Sequence, residues 1–142
     1  MDQFGVSQKI VIVEDKSELA EIYKTRLELL GYTCFIASDG AVALALIEKE
    51  QPNLVLLDLM IPIIAGDQVL KIMRSNEWGK NIPVQIISAL SEIDAPEGLR
   101  SLGIEGYAVK ANLSDDQLDT LVDNILKPKD QKEDVVLGYD SP

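Results

Sequence analysis

The stretch Leu54-Val55-Leu56-Leu57-Asp58-Leu59-Met60-Ile61-Pro62-Ile63-Ile64-Ala65-Gly66 decides how this chain is read. Four consecutive apolar residues suit a short strand buried on both faces, and this one ends in a carboxylate. A lone aspartate after a strand more often opens a turn or caps a helix than does chemistry. Three further runs change its meaning. Ile10-Val11-Ile12-Val13 ends in Glu14-Asp15, Val84-Gln85-Ile86-Ile87 ends in Ser88, and Tyr107-Ala108-Val109 ends in Lys110.

Between these runs lie longer stretches of helical periodicity, the pattern of repeated βαβ units around a parallel sheet. Strands are expected near 9–13, 32–37, 54–57, 84–87 and 106–109, with five helices between and after them. The first helix sets Leu19, Ile22, Tyr23, Arg26, Leu27 and Leu30 at three-and-four spacing and stops at Gly31. The second follows Ser38-Asp39 and runs through Val42, Leu44, Leu46 and Ile47; the third covers about 67–76. The fourth, over 91–100, contains Pro96 and Gly98 and is expected to be short and mobile. The last opens on a capping box, Ser114-Asp115-Asp116-Gln117, and carries Leu118, Leu121, Val122, Ile125 and Leu126 on one face.

The 142 residues suit one domain, 9–127, with an N-terminal extension at 1–8 and a charged tail at 128–142. At 46% hydrophobic and 26% charged, the composition is that of a globular protein. No apolar run spans a bilayer and no signal peptide opens the chain, so the cytoplasm is the default location. The chain has no histidine and one cysteine, which removes Ser-His-Asp and Cys-His catalysis and tetrahedral zinc sites. Cys34, inside an apolar strand, reads as a small buried hydrophobe. A net charge of -11 argues against direct binding to nucleic acid or to anionic membranes.

In a parallel sheet the residues after the carboxyl ends of neighbouring strands gather along one edge, where open α/β sheets place their sites. A strand order of 2-1-3-4-5 would bring Asp15, Asp58, Ser88 and Lys110 together. Clustered carboxylates repel unless a cation joins them, and oxygen ligands suit a hard divalent ion. Mg²⁺ keeps several waters, so Asp15 and Asp58 are assigned to it directly and Glu14 through a water.

Taken in order, Glu14-Asp15, Asp58 with Pro62 four and Gly66 eight positions on, Ser88-Ala89, and Tyr107 three before Lys110 make a specific set. Over 8–126 the chain resembles the receiver domain of two-component response regulators. The resemblance implies a flavodoxin-like (βα)₅ fold, a five-stranded parallel sheet of order 2-1-3-4-5 with helices on both faces. It also implies a phosphorelay switch rather than an enzyme. Asp58 would accept a phosphoryl group from a phosphohistidine on a histidine kinase or phosphotransfer protein. Asp15, Asp58 and the Met60 backbone carbonyl would bind Mg²⁺ or Mn²⁺. Ser88 and the Ala89 backbone would hold one phosphoryl oxygen and Lys110 another, and Tyr107 would turn inward as Ser88 closes on the phosphate. The signal would leave through the fourth helix, fifth strand and fifth helix of a stand-alone receiver, either monomeric or weakly dimeric on phosphorylation.

The chain departs from the family in three places. Ala111 follows Lys110 where the family has proline in a cis bond; without proline that bond is expected trans, with a reshaped loop before Ser114. Glu14 stands where aspartate is commoner. Met60 and Leu90 flank the site with apolar groups, which would restrict water and slow hydrolysis of a phosphoaspartate. Two other readings stay open: an unphosphorylated pseudo-receiver that only binds protein, and an aspartate-nucleophile phosphatase. The phosphatase needs a second aspartate where this chain has Met60.

Overall fold

The computed structural model describes residues 7–127, so the sequence readings for 1–6 and 128–142 lie outside the described residues. Five strands, β1 (Lys9–Val13), β2 (Thr33–Ala37), β3 (Leu54–Leu57), β4 (Val84–Ser88) and β5 (Gly106–Val109), form one sheet in the order β2-β1-β3-β4-β5. Every neighbouring pair is parallel, with Val13 in register with Ala37 on one side and with Leu57 on the other. The observed strands match the expected ones to within a residue at each end.

Alternation along β1 and β3 divides the core. Ile10, Ile12, Leu54 and Leu56 face Tyr23 and Leu27 of α1 (Ser17–Leu29) and Leu118 and Val122 of α4 (Asp115–Leu126). Val11, Val13, Val55 and Leu57 face Ala43 and Ile47 of α2 (Gly40–Glu50) and Val69, Leu70 and Met73 of α3 (Gly66–Arg74). Both faces of the central strands are therefore apolar, which is why they read as unbroken hydrophobic runs. Burying one such side chain contributes about 1.5–3 kcal/mol.

Two helical readings need correction. The buried face of α1 is Ala20, Tyr23 and Leu27, whereas Ile22 and Leu30 are exposed. The rotation is set by the sheet, which a list of apolar residues at helical spacing cannot specify. Nor does 91–100 form an α-helix. Two 3₁₀ turns, Glu92–Asp94 and Arg100–Leu102, stand in its place, so the described residues hold four α-helices rather than five. Pro96 has no amide to donate and Gly98 takes a φ of 87°, which together end any helical ladder. Arg100 clips the two turns together by donating to both carboxylate oxygens of Glu92, at 2.6 and 2.9 Å. Arg74 secures the second turn by donating to the carbonyls of Leu102 and Gly103 at 2.7 Å each, and to Gly79 and Ile82 at 2.8 and 2.9 Å.

The last helix begins as read from sequence. Ser114 Oγ accepts the Gln117 amide at 3.1 Å and Gln117 Oε1 accepts the Ser114 amide at 2.8 Å, a complete capping box. No helix among the described residues is long and apolar enough to cross a membrane.

Candidate functional site

The strand order places the carboxyl ends of β1, β3, β4 and β5 side by side, and the residues that follow them meet there. The backbone continues pairing one step past each strand: the Glu14 amide donates to Ala37 at 3.0 Å and the Asp58 amide to Val13 at 3.1 Å. Glu14 and Asp58 are thereby fixed on adjacent strands. Both are buried, at 2% and 4% exposure, whereas Asp15 is exposed.

Two buried carboxylates are tolerated only with compensating charge and hydrogen bonds. Lys110 supplies the charge. Its ammonium lies 2.7 Å from Glu14 Oε1 and 2.8 Å from Asp58 Oδ2. Burial alone would lower the Lys110 pKa, but the hydrogen bonds to Asp58 and Glu14 outweigh it, and the net shift is upward. The remaining oxygens are met by backbone amides, Met60 donating to Asp58 Oδ1 at 3.1 Å and Lys16 to Glu14 Oε2 at 3.0 Å. Neither amide is legible from residue types, since both depend on how the loops turn after their strands.

Glu14, Asp15 and Asp58 each place a carboxylate oxygen within 4.8 Å of the other two. An all-oxygen set open to water on the Asp15 side fits a hard divalent cation that keeps part of its hydration shell. Met60 is 58% exposed beside this group, so its side chain stands at the rim.

Ser88 ends β4 fully buried, and its Oγ accepts the Leu90 amide at 3.2 Å. Ala89 is exposed and Leu90 half-buried. The half-buried Tyr107 donates its hydroxyl to the Leu90 carbonyl at 2.9 Å. Burial raises its phenol pKa, a rise that the hydroxyl of Ser88 opposes. Glu14, Asp15, Asp58 and Lys110 thus form one tight group, and Ser88, Leu90 and Tyr107 a second one at the end of the next strands.

The Lys110–Ala111 bond is trans, as expected, and Lys110–Asn112 forms a 3₁₀ turn before Ser114. Cys34 is buried, and burial pushes its thiol pKa up to about 12, in keeping with an inert side chain.

The loop from Asp58 to α3 is held by two glycines. A Cβ on Gly66 would meet the Asp58 carbonyl oxygen at 2.2 Å, and one on Gly40 would meet the Ile64 carbonyl oxygen at 2.0 Å. Between these clamps the Ile64 amide bonds to the Pro62 carbonyl at 2.9 Å across Ile63, whose φ is 73°. This is a γ-turn with positive φ, a strained conformation for a β-branched residue. Sequence pattern gave no warning of it.

A family model for the response regulator receiver domain matches residues 10–123. The protein named "Probable transcriptional regulator ycf27" of Galdieria sulphuraria is 40% identical over 111 residues, covering 78% of this chain and 42% of the relative. The chain spans about half the length of the curated relatives it matches. Among solved structures, the Francisella response regulator 1452 receiver domain superimposes with a TM-score of 0.74 at 33% identity, covering 84% of this chain and 96% of that one. The Mn²⁺-bound form of response regulator Rcp1 gives 0.69 at 26% identity, covering 80% and 88%. Sheet order, the paired carboxylates, the lysine between them and the matched span lead to one conclusion: this chain belongs to the response regulator receiver family.

Proposed function

We propose that this chain is a phosphorylation-dependent signalling switch in which Asp58 takes a phosphoryl group from a phosphohistidine on a histidine kinase or phosphotransfer protein. One observation carries the reading: Lys110 joins a buried Asp58 to a second buried carboxylate beside an exposed third, Asp15. These 142 residues hold no histidine, so the donor histidine lies outside them.

An Asp58 carboxylate oxygen attacks phosphorus in line, the P–N bond to the donor imidazole breaks, and its electron pair returns to the ring nitrogen. The product is an acyl phosphate. Transfer of this kind depends on positioning and charge neutralisation more than on proton transfer, so the lack of a histidine base does not hinder it. Lys110 meets one phosphoryl oxygen as a compact cation, while Ser88 Oγ and the Ala89 amide meet another. Asp15, Asp58 and the Met60 carbonyl would hold Mg²⁺ or Mn²⁺, with Glu14 reaching it through water. When bound, that ion neutralises charge on the phosphoryl oxygens. The Mn²⁺-bound state named for Rcp1 supports the choice of ion class.

Ser88 currently spends its hydroxyl on the Leu90 amide, and Tyr107 holds the Leu90 carbonyl. Drawing Ser88 toward a phosphoryl oxygen breaks the first bond and loads the second, so charge at Asp58 becomes displacement of the segment after Leu90. Met60 and Leu90, as apolar neighbours of Asp58, slow attack by water on the acyl phosphate.

Intact mass measurement after incubation with Mg²⁺ and acetyl phosphate tests the reading. One phosphoryl adduct, lost on omitting Mg²⁺ and absent from Asp58→Asn, is the expected result. An unmodified wild type indicates a protein-binding pseudo-receiver, and steady phosphate release with no lasting adduct indicates a phosphatase.

A further inference from the structure

We propose that the segment Val135-Val136-Leu137-Gly138-Tyr139 docks back onto this domain, in a groove at the edge of the sheet opposite Asp58. The inference is independent of the phosphoacceptor reading, since no residue of that site takes part in it.

The groove lies where the amino-terminal ends of β1, β3 and β4 meet the carboxyl-terminal end of α4, and its volume is about 460 Å³. Pro52, Trp78, Pro83, Ile125 and Leu126 supply apolar surface, and the side-chain amides of Gln8, Gln51, Asn53 and Asn81 supply polar surface. Three of these amides are held in place. Gln8 donates to the Leu126 carbonyl at 3.1 Å, Gln51 donates to the Trp78 carbonyl at 3.0 Å, and Asn53 accepts the Lys9 amide at 2.8 Å. Each keeps the other end of its amide group for a further bond, an oxygen on Gln8 and Gln51 and an NH₂ on Asn53. Apolar surface among fixed amides suits a short peptide, whose side chains need apolar contact and whose backbone needs donors and acceptors.

Charge narrows the occupant. Among the described residues that line the groove only Glu77 is charged, and Lys80 pairs with it at 2.9 Å. Such a lining gives no hold on a charged partner, and a second copy of the chain would bring a further net charge of -11 against it. The segment 135–139 carries no charge and is apolar at four of its five positions. Position favours it too. Leu126, the last residue of α4, is itself part of the groove wall, and seven residues, 128–134, separate Lys127 from Val135. A chain of that length spans up to roughly 24 Å, so the segment can reach a groove that begins where the helix ends. A tether this short holds its far end at an effective concentration on the order of millimolar, which keeps a segment of modest affinity seated.

Trp78 is the only tryptophan in the sequence and is half-buried, so its fluorescence reports from the groove itself. The test compares the 142-residue chain with its Val136→Asp, Leu137→Asp double variant, which puts two carboxylates into the segment and alters no described residue. Acrylamide is expected to quench Trp78 about twofold more strongly in the variant, because the seated segment shields the indole in wild type. The difference is expected to hold from about 2 to about 200 µM protein, as an intramolecular contact requires. A nitroxide on Ser141→Cys then locates the segment, since buried Cys34 does not compete for the label. Amide signals of Asn53, Asn81 and Ile125 are expected to lose most of their intensity, and those of Met60 and Ala89, at the other edge of the sheet, to keep most of theirs.

Equal quenching in wild type and variant would overturn the proposal. So would protection that grows with protein concentration, which would give the groove to a second copy, and so would broadening centred on another surface of the domain.

Discussion

A Cβ on Gly66 would stand 2.2 Å from the carbonyl oxygen of Asp58, so helix α3 begins in contact with the backbone of the candidate phosphoacceptor. The Gly66 amide also donates to the Leu59 carbonyl at 3.0 Å, which fixes the path of the loop between them. No flexible side chain is available to yield, because the obstructing atoms are main chain. Gly66→Ala is therefore expected to lose about 3 kcal/mol of stability, the upper part of the range for overpacking, and to slow phosphorylation of Asp58. Urea denaturation beside a phosphorylation time course checks both, and a variant as stable as wild type would show that the loop yields.

Ile63 predicts the opposite sign. Its φ of 73° is one that branched side chains avoid, and the side chain is 76% exposed, so it recovers little by packing. Ile63→Asn, which accepts the left-handed region, is expected to raise stability by about 1 kcal/mol. Thermal denaturation would register that as about 4 °C. A lower midpoint would mean that Ile63 makes contacts that outweigh its strain.

Lys110 sets a pH dependence. Burial opposes its charged form, but the hydrogen bonds to Asp58 and Glu14 prevail, so the folded protein holds this proton more tightly than the unfolded chain does. The resulting stability is fully present below the unfolded lysine pKa of about 10.4 and is lost as pH rises through the higher folded value. The stability difference between wild type and Lys110→Met should thus stay level from about pH 6 to about pH 9 and narrow only above about pH 10.4. A difference that closes before pH 9 would contradict the shift.

Arg74 is a structural staple with no contact to the site. Its guanidinium bonds four carbonyls from two loops, those of Gly79 and Ile82 before β4 and those of Leu102 and Gly103 before β5. Arg74→Met keeps the stem and removes the donors, and is expected to cost about 2–4 kcal/mol, with faster amide exchange at Leu102 and Gly103. Phosphorylation of Asp58 should be unaffected. Exchange rates equal to wild type would show that the turn holds without it.

Sequence revealed the sheet because β1, β3 and β4 are buried on both faces and so are written as apolar runs. It revealed α4 because Ser114 and Gln117 form a local cap. It also brought Asp15, Asp58 and Lys110 to one edge, since topology alone dictates that. What it missed is long-range. The helix expected at 91–100 yielded to Pro96 and Gly98, and the fixed shape of that segment comes from Arg74 and Arg100, which carry no local signal. The strain at Ile63 comes from the loop's closure on Gly40, a residue on another helix. The pairing of Glu14 with Lys110 joins residues far apart in the sequence and is invisible without coordinates.

Asp58 as phosphoacceptor is tested most directly by locating the atom that carries the phosphoryl group. Borohydride reduces an acyl phosphate to an alcohol, so treating acetyl phosphate-labelled protein with it and sequencing the peptides by mass locates the bond. Conversion of Asp58 to homoserine, with Glu14 and Asp15 unchanged, is the predicted result; reduction at another residue, or none in fully labelled protein, would contradict it.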